Sequence, residues 1–140
     1  MILENARKTD VIQSFLTLDP TSNEATRSHK VIGVLLTHIV KQDPNYDFLC
    51  QNIDGGLITD FEVIKGKTLI HIVEAKISLG LDRTKDQLEK YLVHRGCARG
   101  CISDGYIWQF YELTSEGLKR NGKALSTEFE LDEIVRKITE

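Results

Sequence analysis

The sequence predicts an α/β protein in which a β-sheet of about four to five strands is flanked by helices. Three observations carry this. Residues 21–41 and 81–93 repeat apolar side chains at helical spacing. The β-prone run from Leu57 to Lys76 doubles back at Lys65-Gly66, and a second pair of such runs meets at Asp104-Gly105, a strong hairpin signal. With 140 residues the chain can bury one real core and not two, so a single domain over 1–140 is expected.

Taken in order, residues 1–20 hold a short helix with Val11, Ile12, Phe15 and Leu16 at helical spacing, closing at Asp19-Pro20 because proline restricts the residue before it. Thr21 can cap a second helix, with Glu24 three residues on as its capping-box partner. The stripe of that helix is Val31, Leu35 and Ile39 beside Ile32, Leu36 and Val40, and Asp43-Pro44 ends it near Lys41. Tyr46 to Ile53 reads as a short strand or a buried connection, broken by Asp54-Gly55-Gly56. In the hairpin that follows, Ile58, Asp60 and Glu62 share one face while Leu57, Thr59, Phe61 and Val63 share the other. The return strand, Leu69 to Ala75, is apolar on both faces, as a strand covered on both sides should be.

After a linker at Ser78 to Gly80, Leu81 to Val93 forms a helix that buries Leu81, Leu88 and Leu92, and Gln87 and Tyr91, four apart, share a face. Arg95 to Gly100 is a basic, glycine-flanked loop. Cys101 to Leu113 makes the second hairpin, whose Trp108, Phe110 and Tyr111 supply core bulk rather than a base-stacking surface. Residues 114–127 read as an exposed polar loop. Leu131 to Ile138 closes the chain as a helix with Leu131, Ile134, Val135 and Ile138 inward.

Composition narrows the class. Apolar residues make up 41% and charged residues 28%, which excludes a disordered or fibrous chain. No apolar run is long enough to cross a bilayer and the start lacks a signal peptide, so a cytoplasmic protein without membrane contact is expected. Three cysteines, Cys50, Cys97 and Cys101, point to free thiols; Cys97 and Cys101 with His94 lack a fourth ligand at zinc spacing. Gly66-Lys67-Thr68 is not a phosphate loop, because Phe61 stands where its first glycine belongs. A net charge of −3 exerts no general pull on nucleic acid, so any such binding must be local. Between Lys76 and Arg99 a local basic surface exists: Lys76, Arg83, Lys85, Lys90, Arg95 and Arg99 against Asp82, Asp86 and Glu89.

The chemistry gathers at the first hairpin. Glu74 and Lys76 project from the same side of their strand, and Asp60 can come alongside from its neighbour. Two carboxylates can supply hard oxygen ligands to Mg²⁺ or Mn²⁺, with the Ala75 carbonyl as a further ligand, and Lys76 adds a fixed positive charge. Glu24 lies on the core-facing side of its helix, where it is either the capping-box partner or a third carboxylate reaching for the site.

The run Asp60…Glu74-Ala75-Lys76 resembles the PD-(D/E)xK, or restriction-endonuclease-like, nuclease superfamily. Asn23-Glu24-Ala25-Thr26-Arg27 before a helix, Gln87-x-x-x-Tyr91, and Ser103-Asp104-Gly105 leading to Trp108-x-Phe110-Tyr111 are similar to the N-terminal nuclease domain of type I restriction motor subunits. The resemblance spans Asn23 to Glu112. It implies a restriction-endonuclease-like core, a central mixed β-sheet of about four to five strands flanked by helices. It also implies a Mg²⁺-dependent endodeoxyribonuclease, with Asp60 and Glu74 as metal ligands, Lys76 as the catalytic lysine, Glu24 near the site, and Gln87 and Tyr91 positioning the phosphate. Arg27, Arg83, Lys85, Lys90, Arg95 and Arg99 are the expected nucleic-acid contacts. Thr59 stands where the motif often has proline, which leaves Asp54 as the other candidate aspartate. The chain lacks a Walker loop and room for a helicase motor, so a stand-alone nuclease or nuclease subunit is expected, with DNA as partner. Cutting both strands would call for a symmetric dimer. The alternatives are a catalytically inactive nuclease-fold module that binds nucleic acid or protein within a larger complex, and a metal-dependent hydrolase of small phosphorylated substrates.

Overall fold

The computed structural model describes residues 1–77 and 82–140. It is an α/β fold built on one mixed sheet. The strands are β1 (Tyr46–Asp54), β2 (Leu57–Lys65), β3 (Thr68–Ala75), β4 (Arg99–Ser103), β5 (Ile107–Thr114), β6 (Gly117–Arg120) and β7 (Leu125–Ser126). The first six follow one another across the sheet in chain order, and β7 pairs with β5. Among the described residues only β3 and β4 run parallel. Their crossover carries helix α4 (Asp82–Arg95), as a parallel connection requires.

Helices cover both faces. On one side α4 packs Leu88, Tyr91 and Leu92 against Ile72, Ile102 and Tyr111. Gly100 allows the close approach: a Cβ there would stand 2.9 Å from both the Ile72 carbonyl oxygen and Leu88 Cδ1. On the other side lie α1 (Asn5–Leu16), α3 (Gly33–Gln42) and α5 (Leu131–Thr139), with Val11, Leu35, Ile39 and Ile134 against Phe61, Val73, Trp108 and Phe110. The sheet is covered on both faces, as the two-sided apolar pattern of residues 69–75 requires. Among the described residues no helix is long and apolar enough to cross a membrane.

Several expectations need correction. Seven strands exceed the four to five expected, because residues 114–127 are not a loop. There β5 turns at Ser115-Glu116 into β6, and Leu118 and Leu125 are buried while Lys119 and Arg120 face outward. An edge strand with one apolar contact looks polar in sequence. Arg99 and Gly100 likewise belong to β4 rather than to a loop, and Leu16 is 55% exposed.

The helix after Pro20 is capped by Asn23, whose side-chain oxygen accepts the Thr26 N–H at 2.8 Å, and not by Thr21. Thr21 instead donates its N–H and hydroxyl to Asp19, forming an Asx turn ahead of the cap. Glu24 is therefore the first residue of α2 (Glu24–Arg27) rather than a capping-box partner. A π-helical turn over Ser28–Ile32 joins α2 to α3, which ends at Gln42 before Asp43. The expected linker at 78–80 and the inward Leu81 lie outside the described residues.

Candidate active site

The site is assembled where β2 and β3 meet the ends of two helices. The antiparallel register pairs Phe61 with Val73, so the next step sets Asp60 opposite Glu74. At that step the ladder changes character, because side chains take over from the main chain. The Asp60 N–H donates to Glu74 Oε1 at 3.3 Å, and the Ala75 N–H donates to Asp60 Oδ2 at 2.8 Å. Gln51, across from Asp60 on β1, donates its amide to Asp60 Oδ1 at 3.3 Å. Gln51 has φ +52°, the one positive value at a non-glycine among the described residues. Left-handed backbone at such a residue carries strain and collects at functional sites. Nothing in sequence pattern marks it.

Glu74 is 2% exposed. Burial, and then the Asp60 carboxylate beside it, push its pKa up to about 9, against the weaker opposing pull of the Asp60 N–H and of Lys76. Two carboxylates held this way need either a shared proton or a cation between them. Mg²⁺ or Mn²⁺ fits that demand, and Mg²⁺ commonly keeps several waters and takes only one or two protein carboxylates. Among the described residues no group of three or more His, Cys, Asp or Glu side chains is placed to hold an ion, so the fit rests on these two carboxylates with Ala75. Cys97 and Cys101 are buried free thiols, and His94 lies 3.7 Å from Asp54.

Lys76 follows the strand, and its N–H donates to the Ser103 carbonyl at 2.9 Å. Its Nζ lies 3.9 Å from Glu24 Oε1, so the start of α2 is brought to the end of β3. From the opposite side, Gln87 donates its amide to the Tyr91 hydroxyl at 2.6 Å. Burial, followed by the nearby Glu74 carboxylate, raises the Tyr91 pKa. Glu24, Asp60, Glu74, Ala75, Lys76, Gln87 and Tyr91 thus gather around one end of the β2–β3 pair.

The expected nucleic-acid contacts divide. Arg83 and Lys90 join Lys76, Glu24 and Gln87 in lining a cavity of about 640 Å³ beside the site. Lys85 is half-buried on α4 outside that lining. Arg27 is buried: it donates to the Pro20, Ser22 and Asp104 carbonyls and packs over the Tyr106 ring, fastening α2 to the β4–β5 turn. Arg99 lies 3.9 Å from Glu140. Arg95 reaches Glu62 at 2.8 and 3.0 Å and Asp54 at 2.6 Å. That engagement removes Asp54 from the site, whereas Asp60 faces Glu74. The Arg95–Glu62 pair was not legible in sequence beyond Glu62 sharing a strand face with Asp60.

No protein-family model, no curated protein and no solved structure matches the chain.

Proposed function

We propose that the chain is a metal-dependent endonuclease with a restriction-endonuclease-like core, hydrolysing phosphodiester bonds of DNA. The observation that carries this is the buried Glu74 carboxylate facing Asp60, with Lys76 two residues on and the Gln87–Tyr91 pair above. The β1–β2–β3 antiparallel run followed by α4 and a parallel β4 supports the fold reading.

Asp60, Glu74 and the Ala75 carbonyl would hold Mg²⁺ or Mn²⁺, which supplies Lewis-acid activation and neutralises charge at the phosphate. Lys76 contributes a second positive centre that orients the attacking water and stabilises charge developing on the phosphate. Glu24, 3.9 Å from the Lys76 ammonium, fixes its direction. Gln87 and Tyr91 offer an amide and a hydroxyl to phosphate oxygens. Arg83 and Lys90 draw the polyanionic backbone to the rim. Concerted cutting of both strands would add a two-fold partner.

The test is incubation with plasmid and branched DNA in Mg²⁺ or Mn²⁺. Cleavage by the wild type that disappears in Glu74→Ala and Lys76→Ala is expected. Equal cutting by the variants would sink the reading. DNA binding without cleavage and indifferent to Mg²⁺ would favour the inactive module instead.

A further inference from the structure

We propose that the groove between the helix over residues 24–42 and the edge strand β1 receives unpaired nucleotides of the DNA next to the scissile phosphate. The chain then selects single-stranded or branched DNA over continuous duplex. The identity of the polymer rests on the nuclease reading; the preference for unpaired bases rests on the groove.

The groove encloses about 850 Å³, within the range of roughly 300–1,000 Å³ usual for ligand sites. It opens at Glu24 and Asp60, so it is continuous with the candidate active site. Its helix wall repeats every four residues, Ala25, His29, Gly33, Thr37 and Lys41, which sets one face of the helix toward the space. Three of those five are small. The π turn keeps the wall low: a Cβ at Gly33 would meet the Ser28 carbonyl oxygen at 3.2 Å, so glycine suits the position. Such π turns are frequent at functional sites.

The opposite wall is mostly apolar and aromatic. Phe48, Cys50 and Gln51 line it from β1, and the largely buried Phe61 backs it from β2, with the Phe48 and Phe61 rings 6.4 Å apart. A slot with a low helix wall and an aromatic one suits a flat, uncharged group with a π face. A nucleobase is such a group, and stacking on aromatic side chains is how bases are held without regard to sequence. The two carboxylates at the mouth would repel a phosphate entering ahead of the base, whereas a base passes them without that cost. Lys41 at the far end can meet the following phosphate. Bases within a duplex cannot enter without being unpaired and unstacked, which costs a few kcal/mol. Duplex is therefore disfavoured.

Cys50 provides the probe, since it is exposed in the groove while Cys97 and Cys101 are buried. In EDTA, a single-stranded oligodeoxynucleotide should slow alkylation of Cys50, read by mass spectrometry, and the matching duplex should not. Thr37→Trp, filling the groove from the helix, should weaken binding of a single strand carrying a fluorescent base analogue about tenfold. Unchanged Cys50 alkylation in the presence of single strand overturns the proposal even if Thr37→Trp misfolds. Each reading can fail without the other. Protection of Cys50 without any cleavage in Mg²⁺ keeps the groove and removes the nuclease, whereas equal cutting of duplex and single strand without protection keeps the nuclease and removes the groove.

Discussion

Glu62 and Glu74 sit on neighbouring strands, point to the same face of the sheet and are both buried, yet their surroundings are opposite. Glu62 receives two bonds from Arg95, one from Asn52 and one from Thr59, so its charge is answered within the fold. Among the described residues Glu74 receives one N–H, from Asp60, and it looks onto that residue's carboxylate. A buried carboxylate with a full set of donors is part of the scaffold. One left facing a second carboxylate, with a lysine nearby, is a candidate functional group.

The largest expected effect separates the two glutamates by activity. Glu74→Gln keeps the shape of the side chain and should lower DNA cleavage at least about a hundredfold, while leaving the melting temperature equal or higher. A variant that retains wild-type cleavage would make Glu74 a scaffold residue like Glu62. The converse change is Arg95→Ala, which strands Glu62. It should cost about 2 kcal/mol in urea denaturation, since the buried Glu62 carboxylate loses its charged donor and keeps only Asn52 and Thr59. A negligible loss would show that Glu62 is not held by its ion pair.

A third measurement sharpens the contrast through pH. Because folding lifts the Glu74 pKa from 4.5 to about 9, the folded chain keeps a proton that the unfolded chain releases. That contribution to stability is full below 4.5 and is lost as pH climbs through about 9. Metal-free protein should therefore weaken toward alkaline pH, Glu74→Gln should flatten the decline, and Mg²⁺ should restore the wild type alone. Denaturation curves across pH, with and without EDTA, check all three.

His71, on β3, supplies the smallest effect and the opposite sign. It is 2% exposed against Phe110, and neither ring nitrogen has a hydrogen-bond partner among the described residues. Burial, and then Arg99, lower its pKa from 6.5 to about 3. Its contribution is present above 6.5 and lost as pH falls toward 3, so His71→Phe should unfold at lower pH than the wild type. An unchanged acid midpoint would show that His71 takes no part in acid unfolding.

Much of the site could be read from local pattern. Period-two alternation put Glu74 and Lys76 on one side of a strand, a short turn brought Asp60 to them, and helical spacing paired Gln87 with Tyr91; the structure holds all of these together. The polar edge strands β6 and β7 are not legible because a single buried leucine in each, Leu118 and Leu125, leaves no periodicity to detect. The cap is ambiguous in sequence because Thr21 and Asn23 both suit the role and only the path of the chain after Pro20 chooses between them. The basic residues were the least legible. Arg27 and Arg95 have the composition of phosphate contacts, but the fold buries one against the β4–β5 turn and commits the other to two carboxylates.

Alternation, turn residues and helical stripes are short-range properties, and they are enough to place the strands of the two hairpins, the main helices and the side on which each carboxylate emerges. Which carboxylate would be neutralised was settled only in three dimensions. Arg95 lies 33 residues from Glu62, and it reaches that glutamate because α4 crosses back over the sheet. Among the described residues Glu74, at the open end of the same face, receives no such partner. Charge compensation is a contact between distant parts of the chain, and no local pattern records it.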